Sequence, residues 1–376
     1  MAVSTVGPTG LSSAVGQIGK NLIQNGAFRV SQRGTSFTGL GDASANPYTM
    51  DRWFFAEESD GGGRYTVAQE SGAGPGNGFT NQLSVHCTTA DGTLAAGILN
   101  LLEQRIEAKE LQHIMKGTAA AKALTMSFWV KSSQTGVMNV LIRAQDTDRS
   151  ILTNYTINVA DTWEYKSFTI PGDTTGTITN DTGIGFMVYF VLAAGSTFQG
   201  GTADAWATHN NNRYGTDQTV NIFASTDDDW SVTGVQLEVG SVATDFEHEP
   251  VSVTLAKCQR YLHRLTEDYP IATASKFVGK GFAASTTVGI IDFFYPVPMR
   301  AIPTRTISAV ADLSMSQDKQ ESLQPVTSDS GNYGWSDELM MTSAFTASGG
   351  GMTAEVPTQL FLENGSAGFI QFSAEL

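Results

Sequence analysis

Apolar and polar residues alternate along much of the chain between Asn21 and Glu249, and this pattern predicts one strand after another. The stretch "LTMSFWVKSS" (124–133) is the clearest case. Its two predicted faces are Leu124, Met126, Phe128 and Val130 on one side, and Thr125, Ser127, Trp129 and Lys131 on the other. We expect the apolar face to lie in a core.

Neighbouring stretches extend this prediction. The run "VMNVLIRAQD" (137–146) follows a Gln-Thr-Gly turn, which suggests a hairpin with the strand before it. Further strands are predicted at "TWEYKSFTIP" (162–171), "GIGFMVYFVLA" (183–193) and "QTVNIFAS" (218–225). In "WSVTGVQLEVG" (230–240) the apolar phase slips by one residue at Gly234, which is how a β-bulge looks in sequence.

One short helix is predicted at "EAKELQHIMKG" (107–117), with Leu111, Ile114 and Met115 on one face and Gly117 as its stop. A second β region begins near Tyr269, where "TTVGIIDFFYPVPMRAIPT" (286–304) reads as a strand running into a proline-marked edge. The C-terminal stretch (358–376) is expected to be a hairpin with Asn-Gly at 364–365 in its turn.

These elements define an all-β fold. We expect an extended N-terminal anchor arm (1–20), a jelly-roll β-sandwich (21–250), a short helical connector (251–268) and a smaller C-terminal β domain (269–376). Within the connector, Leu255, Cys258, Tyr261 or Leu262, and Leu265 share a face at helical spacing. That face is expected to be buried, with Cys258 as a small packed hydrophobe rather than a reactive thiol.

Composition narrows the function. The formal net charge of −15 argues against nucleic acid as a partner, since phosphate binding needs a basic surface. The chain shows neither a secretory signal nor an apolar run long enough to cross a bilayer, so we expect synthesis in the cytoplasm and no membrane insertion. Cys87 and Cys258 are too few for a disulfide framework.

Common catalytic and metal motifs are missing from the sequence, and no cofactor is predicted. The acidic clusters all lie beside turn residues and are expected to be solvated loops or turn caps. The Asp227–Asp229 triplet is the one place where a structural calcium ion is a possibility.

Two loops have the composition of glycan-binding surfaces, with aromatic rings beside hydrogen-bonding side chains. The first, "STFQGGTADAWATHNNNRYGTD" (196–217), offers these candidates: Trp206, His209, Asn211, Arg213 and Tyr214. The second, "SGNYGWSDE" (330–338), offers Tyr333 and Trp335. For both loops the alternative is a structural role, in which the rings pack onto the sandwich.

Several motifs together resemble a family of bacteriophage virion proteins that includes tail fibres and head fibres. They occur here in the following order: "NLIQNGAFRVSQRG" (21–34), "YTMDRWFF" (48–55), "QRIE" (104–107), "LTMSFWVKSS", "GVQLEVGSVATDFEHEP" (234–250) and "CQRY" (258–261). The resemblance extends to about residue 305, through "YPVPMRAIPT". The chain departs from the usual double tyrosine after "CQR", where it has Tyr261 and Leu262.

The resemblance implies a jelly roll like that of carbohydrate-binding modules, a small β domain after it, and a homotrimer. It implies structural rather than catalytic roles for its motif residues. These are Asp51, Arg52, Trp53, Glu238, Cys258, Arg260 and Tyr261. We expect Asp51 and Arg52 to form an ion pair over Trp53, and Glu238 to pair similarly with Arg105.

The function expected from this resemblance is that of a non-enzymatic fibre or spike of the virion, on the head or on the tail. Residues 1–20 would dock to other virion proteins, and the sandwich or C-terminal domain would contact host surface glycan. Two alternatives stay open: a purely architectural adaptor or decoration protein, and a polysaccharide depolymerase with a pair of carboxylates in a groove.

Overall fold

The computed structural model describes residues 19–43, 46–72, 74–266, 275–318, 322–363 and 368–376, apart from the side chain of Tyr333. The anchor arm predicted over 1–20 therefore falls almost wholly outside the described residues, as does the Asn-Gly turn at 364–365. The chain divides into two compact units, residues 1–254 with Leu376, and Leu255–Glu375. This division falls inside the predicted connector.

The described residues of the first unit form strands in two antiparallel sheets. In chain order the strands are β1 Ser36–Leu40, β2 Trp53–Glu58, β3 Arg64–Ser71, β4 Asn81–Thr89, β5 Leu99–Glu107, β6 Leu124–Ser132, β7 Gly136–Ala144, β8 Arg149–Ile157, β9 Glu164–Ile170, β10 Ile184–Ala194, β11 Ala207–Thr208 and β12 Asp229–Val239. Sheet A has the order β1-β3-β4-β12-β6-β9, and sheet B the order β11-β8-β7-β10-β5-β2. The sheets form a jelly-roll sandwich, which confirms the predicted fold class.

The core between the two sheets consists of the inward faces that the alternation predicts. On β6 the side chains of Met126, Phe128 and Val130 are fully buried, and on β10 so are Val188 and Phe190. Aromatic rings fill the middle of this core, with the ring centroids of Phe128 and Phe190 5.0 Å apart in an edge-to-face arrangement. The apolar face of "LTMSFWVKSS" is therefore a core face, as expected.

Two local predictions in the sandwich are wrong. Strands β6 and β7 do not form a hairpin, because β6 pairs with β12 and β9 in sheet A while β7 pairs with β8 and β10 in sheet B. The stretch 218–225 is not a strand, although Val220, Ile222 and Phe223 are buried in the core. In both places the apolar spacing predicts burial correctly, but it does not predict which strands pair.

The predicted helix at 107–117 is a 3₁₀ helix over Ala108–Ile114. Leu111 and Ile114 are buried as expected, but Met115 is exposed and takes a left-handed conformation that ends the helix. The predicted connector also differs. Its α-helix, α1, spans Val251–Gln259, and the chain then enters a strand, so Leu265 does not share a helical face with Cys258.

The second unit contains a closed barrel and a small sheet. Its strands are β13 Leu262–Thr266, β14 Lys276–Ala283, β15 Val288–Phe294, β16 Thr304–Ile307, β17 Leu313–Ser316, β18 Gln324–Ser336, β19 Met340–Ala347, β20 Pro357–Leu362 and β21 Phe369–Ser373. The barrel order is β14-β15-β19-β18-β17-β20, and the sheet order is β13-β21-β16. The predicted C-terminal hairpin is therefore wrong, because β20 belongs to the barrel and β21 to the sheet. Cys258 and Tyr261 are fully buried in this unit, and Arg260 donates to the carbonyl of Pro298.

The bulge predicted at Gly234 is present. The register of β12 against β6 shifts between Thr233 and Gln236, and Gly234 has a φ of +64°. A Cβ at Gly234 would lie 2.6 Å from Cζ of Phe79, whose ring occupies the space left by the missing side chain. Trp230 and Val232 before the bulge, and Leu237 after it, all point into the core.

We expect Gly234→Ala to lower the free energy of unfolding by about 2–5 kcal/mol, because left-handed backbone and a clash with Phe79 add together. Gly39→Ala is the matched control, since Gly39 has a φ of +72° but open space around an added Cβ. It should cost only about 1–2 kcal/mol. Chemical denaturation of both variants would measure the difference, and equal losses would contradict the role given to Phe79.

Candidate functional site

The outer face of sheet B is covered. Residues 196–217 lie over it and complete a second apolar cluster outside the sandwich core. This cluster contains Leu99, Leu101, Leu141, Leu152, Met187, Tyr189, Val191, Ala194, Phe198 and Tyr214. The loop is therefore packed against the sheet along part of its length.

This packing corrects the first glycan-site prediction for three residues. His209, Arg213 and Tyr214 are each at least nine-tenths buried. Tyr214 packs edge-to-face on Tyr189 and on the ring of His209, and Arg213 donates to the carbonyl of Ala205 at 3.0 Å. Their side chains support the loop from inside, so they do not present a surface to a glycan.

The other predicted residues differ in exposure. Trp206 is partly buried against the core, and its indole N–H donates to the carbonyl of Pro171 at 2.7 Å. Asn211 is exposed, and Trp335 on β18 is 76% exposed. Glycan contact at Asn211 and Trp335 stays a prediction, and the side chain of Tyr333 lies outside the described part of the chain.

The "DRW" motif holds the N-terminal segment against the sandwich. Trp53 is fully buried and donates to the carbonyl of Asn25 at 3.3 Å. The guanidinium of Arg52 donates to Oε1 of Gln24 at 3.1 Å, and Asp51 accepts the backbone N–H of Gln32 at 2.6 Å. All three motif residues therefore bond to the N-terminal segment, in keeping with the structural role that the resemblance implies for them.

The outer face of sheet A, in contrast, is open and forms a groove of about 800 Å³, here called the sheet A groove. Its lining residues are Asn77, Phe79, Ser127, Trp129, Tyr165, Ser167, Gly234, Val242, Ala243, Thr244, Asp245, Phe246 and His248. This volume falls within the usual range for small-molecule sites, roughly 300–1,000 Å³. The prediction from sequence did not name this groove as a site.

The floor of the groove is an aromatic pair set among hydroxyl groups. Trp129 on β6 lies directly opposite Tyr165 on β9, with ring centroids 5.4 Å apart, and Ser127 lies opposite Ser167 in the next row. Tyr165 is 45% exposed. Two signals in the sequence point to this floor, namely Trp129 on the polar face of "LTMSFWVKSS" and Tyr165 in the alternating "TWEYKSFTIP".

One wall of the groove is a cluster of three rings. Phe79, Phe246 and His248 lie within about van der Waals reach of one another, with centroid distances of 4.9 to 5.0 Å. Nε2 of His248 donates to the carbonyl of Asn77 at 3.1 Å, which ties the wall to the loop before β4. Phe79 in turn packs on the bulge at Gly234, so the wall depends on the bulge.

The loop 242–247 forms the adjoining wall and is held from beneath by two buried side chains of β12. Glu238 accepts the backbone N–H of Thr244 at 2.8 Å and its hydroxyl at 2.6 Å. Gln236 accepts the backbone N–H of Glu247 at 2.8 Å. Pairing of Glu238 with Arg105 was therefore the wrong expectation; Arg105 contacts Glu103 instead.

The same loop is held from the other side by the start of the described chain. Glu247 accepts the backbone N–H groups of Gly19 and Asn21, the latter at 2.9 Å. The ammonium group of Lys20 donates to the carbonyl of Asp245 at 2.6 Å and to the hydroxyl of Thr244. The wall is thus fixed on both sides, and the groove does not need to be ordered by its ligand.

In the Asp227–Asp229 region, the carboxylates of Asp228 and Asp229 contact neighbouring protein groups. Asp228 accepts from Nε2 of Gln134 at 2.7 Å and from the backbone N–H of Ser225 at 2.7 Å. Asp229 contacts Nδ1 of His86, whose Nε2 lies 2.9 Å from Glu70. Within the described residues, no group of three or more His, Cys, Asp or Glu side chains is placed to hold a metal ion. No helix among them is long and apolar enough to cross a membrane.

Comparisons with known proteins return only distant likenesses. No protein-family model matches the sequence, and no curated protein matches it. Among solved structures, the chain is similar to the enzymatically active domain of tailspike protein 4 of bacteriophage CBA120, at 12% identity and a TM-score of 0.29. The match covers 59% of this chain but only 22% of the tailspike chain to which it is similar.

Two carbohydrate-binding modules are similar over nearly their whole length. The family 11 module of a cellulosomal cellulase from Clostridium thermocellum has 12% identity and a TM-score of 0.28, covering 56% of this chain and 96% of the module. A family 61 module in complex with β-1,4-galactotriose has 11% identity and a TM-score of 0.27, covering 59% and 99%.

Burial of His209 makes the fold sensitive to acid. Removal from water lowers the pKa of His209 to about 4, and nearby Arg143 acts in the same direction. The unfolded chain, with an ordinary pKa near 6.5, binds a proton that the folded chain does not. Stability should therefore fall as the pH drops from 6.5 to about 4, by about 1–3 kcal/mol for this residue.

We expect the melting temperature of His209→Gln to fall less between pH 7 and pH 4 than that of the unaltered chain. Burial likewise lowers the pKa of His263 in the second unit to about 4, so some acid sensitivity should persist in the variant. His113→Gln, at an exposed position, is the control and should leave the profile unchanged. An unaltered profile in His209→Gln would contradict the assignment.

Proposed function

We propose that this chain is a non-enzymatic bacteriophage virion protein that binds a host surface glycan in the sheet A groove. One observation carries the binding site, namely the pair of partly buried Trp129 and exposed Tyr165 on the floor of a preformed groove. Sugar rings have apolar C–H faces that stack on aromatic rings, and burying such a face removes apolar surface from water. An aromatic pair side by side offers two such stacking positions.

The rim of the groove supplies the polar contacts that a sugar also needs. Ser167 lies beside the aromatic floor, and Asn77 and Asp245 lie exposed on the walls. Hydroxyl, amide and carboxylate groups match sugar hydroxyls as donors and acceptors. A mostly apolar floor with a few fixed polar groups is the usual composition of a ligand site.

The charge distribution of the groove supports binding rather than cleavage. Glycoside hydrolysis generally requires two carboxylates on opposite sides of the scissile bond. Among the described residues that line the groove, Asp245 is the single carboxylate. A depolymerase with its catalytic pair in this groove is therefore the less favoured proposal.

The virion role rests on the ordered motifs that resemble fibre proteins, and it carries two further proposals. Residues 1–20 would dock to another virion protein, and the chain would form a homotrimer. Exposed apolar side chains on the second unit, Phe294 and Leu339, support self-association, since such side chains commonly mark protein contacts. A purely architectural adaptor would share these features but would leave the groove without a ligand.

Trp129→Ala should weaken binding of the purified chain to host-cell polysaccharide by at least about tenfold, because it removes a central stacking surface. Isothermal titration calorimetry or a pull-down with isolated polysaccharide would measure this. The ring is partly buried and packs on Tyr165, so we expect some fall in melting temperature, and binding should be measured well below it.

Trp335→Ala is the matched control and also tests the second loop predicted from sequence. If the sheet A groove is the site, Trp335→Ala binds as the unaltered chain does. Loss of binding in Trp335→Ala with binding retained in Trp129→Ala would move the site to the second unit. Absence of binding to any host polysaccharide would favour the architectural alternative.

A further inference from the structure

We infer that the sheet A groove selects glycans without acidic groups and rejects those that carry carboxylate, sulfate or phosphate. This inference rests on the proposed glycan-binding function and adds the chemical class of the ligand. The selection follows from the acidic side chain that lines the groove and from the contacts that the neighbouring lysines make with other protein groups.

The lining of the groove offers an acidic glycan no cationic partner of the usual kind. Among the described lining residues there is neither Lys nor Arg, and the one acidic side chain is Asp245. Carboxylate, sulfate and phosphate groups are normally bound by Arg or Lys through charge-assisted hydrogen bonds. A sugar acid stacked on Trp129 would instead meet the carboxylate of Asp245.

Two lysines beside the groove are engaged with protein groups. Lys20 donates to the carbonyl of Asp245 and the hydroxyl of Thr244, so its ammonium group is used to hold the wall. Lys131, two residues beyond Trp129 on β6, has its ammonium group 5.6 Å from the ring centroid of Trp163. Neither residue is among those that line the groove.

Charge farther along the same face acts in the same direction. On the outer face of β3, β4 and β12, Glu70 and Asp229 lie on either side of His86. The strand β12 joins this acidic region to the row that contains Trp129. With a formal net charge of −15, the whole chain repels a polyanion at low ionic strength.

Matched pairs of oligosaccharides that differ only at C6 would test this inference. The probes are tetrasaccharides of galactose, mannose and glucose, each beside the corresponding uronic acid tetrasaccharide. For whichever pair binds, we expect the neutral member to bind at least about tenfold more tightly at low salt. The difference should shrink as salt is raised, because screening over roughly 10 Å weakens the repulsion.

Asp245→Lys should narrow or reverse this preference, because it replaces the lining carboxylate by a cation. Asp227→Lys is the control, since it makes the same change of net charge at an exposed position outside the groove. Asp245 is exposed and its described contacts use its backbone, so the variant should fold, with a small fall in melting temperature where the new ammonium group meets Lys20.

The outcomes separate the two proposals. A uronic acid member that binds as tightly as its neutral partner, or a preference that Asp227→Lys changes as much as Asp245→Lys, would overturn the selection inferred here while leaving glycan binding intact. If no tetrasaccharide and no host polysaccharide binds, the proposed glycan-binding function itself fails.

Discussion

The sandwich and its groove both depend on one backbone irregularity, the bulge at Gly234 in the middle of sheet A. The bulge lets β12 keep apolar side chains in the core on both sides of a phase slip, so that Val232 and Leu237 are both buried. The missing side chain admits the ring of Phe79, which becomes the groove wall. The next residue, Val235, donates to the carbonyl of Gly26 at 2.9 Å, so the bulge also anchors the N-terminal segment.

A second consequence is the difference between the two outer faces of the sandwich. The outer face of sheet B is apolar and must be covered, and the 196–217 loop covers it with Phe198 and Tyr214. The outer face of sheet A is polar around an aromatic pair; the 242–247 loop covers Gln236 and Glu238, while Tyr165 and Ser167 stay exposed. The open face is therefore the one available for a ligand, and burial alone separates the structural loop from the candidate site.

The pattern of the sequence predicted what depends on local spacing and missed what depends on distant partners. It placed Trp129 on the face of β6 opposite the apolar one and a bulge at Gly234, because both follow from period-two alternation. It misassigned the hairpin after β6. Both edges of β6 are taken by β9 and β12, which come later in the chain, so β7 pairs in the other sheet. It also assigned Tyr214 to a glycan surface, because the apolar cluster that buries this ring comes from strands far away in sequence.

Different residues hold the groove wall and form the groove floor, so the floor could change without loss of the fold. The motif "GVQLEVGSVATDFEHEP" supplies the scaffold, since its Gln236 and Glu238 hold the wall by hydrogen bonds to backbone groups. The contact residues Trp129 and Tyr165 stand on outward positions of β6 and β9, where the core does not dictate the side chain. Under the proposed function, substitution at these positions would alter what the groove recognises while the buried face of each strand, and the wall above it, stay as they are.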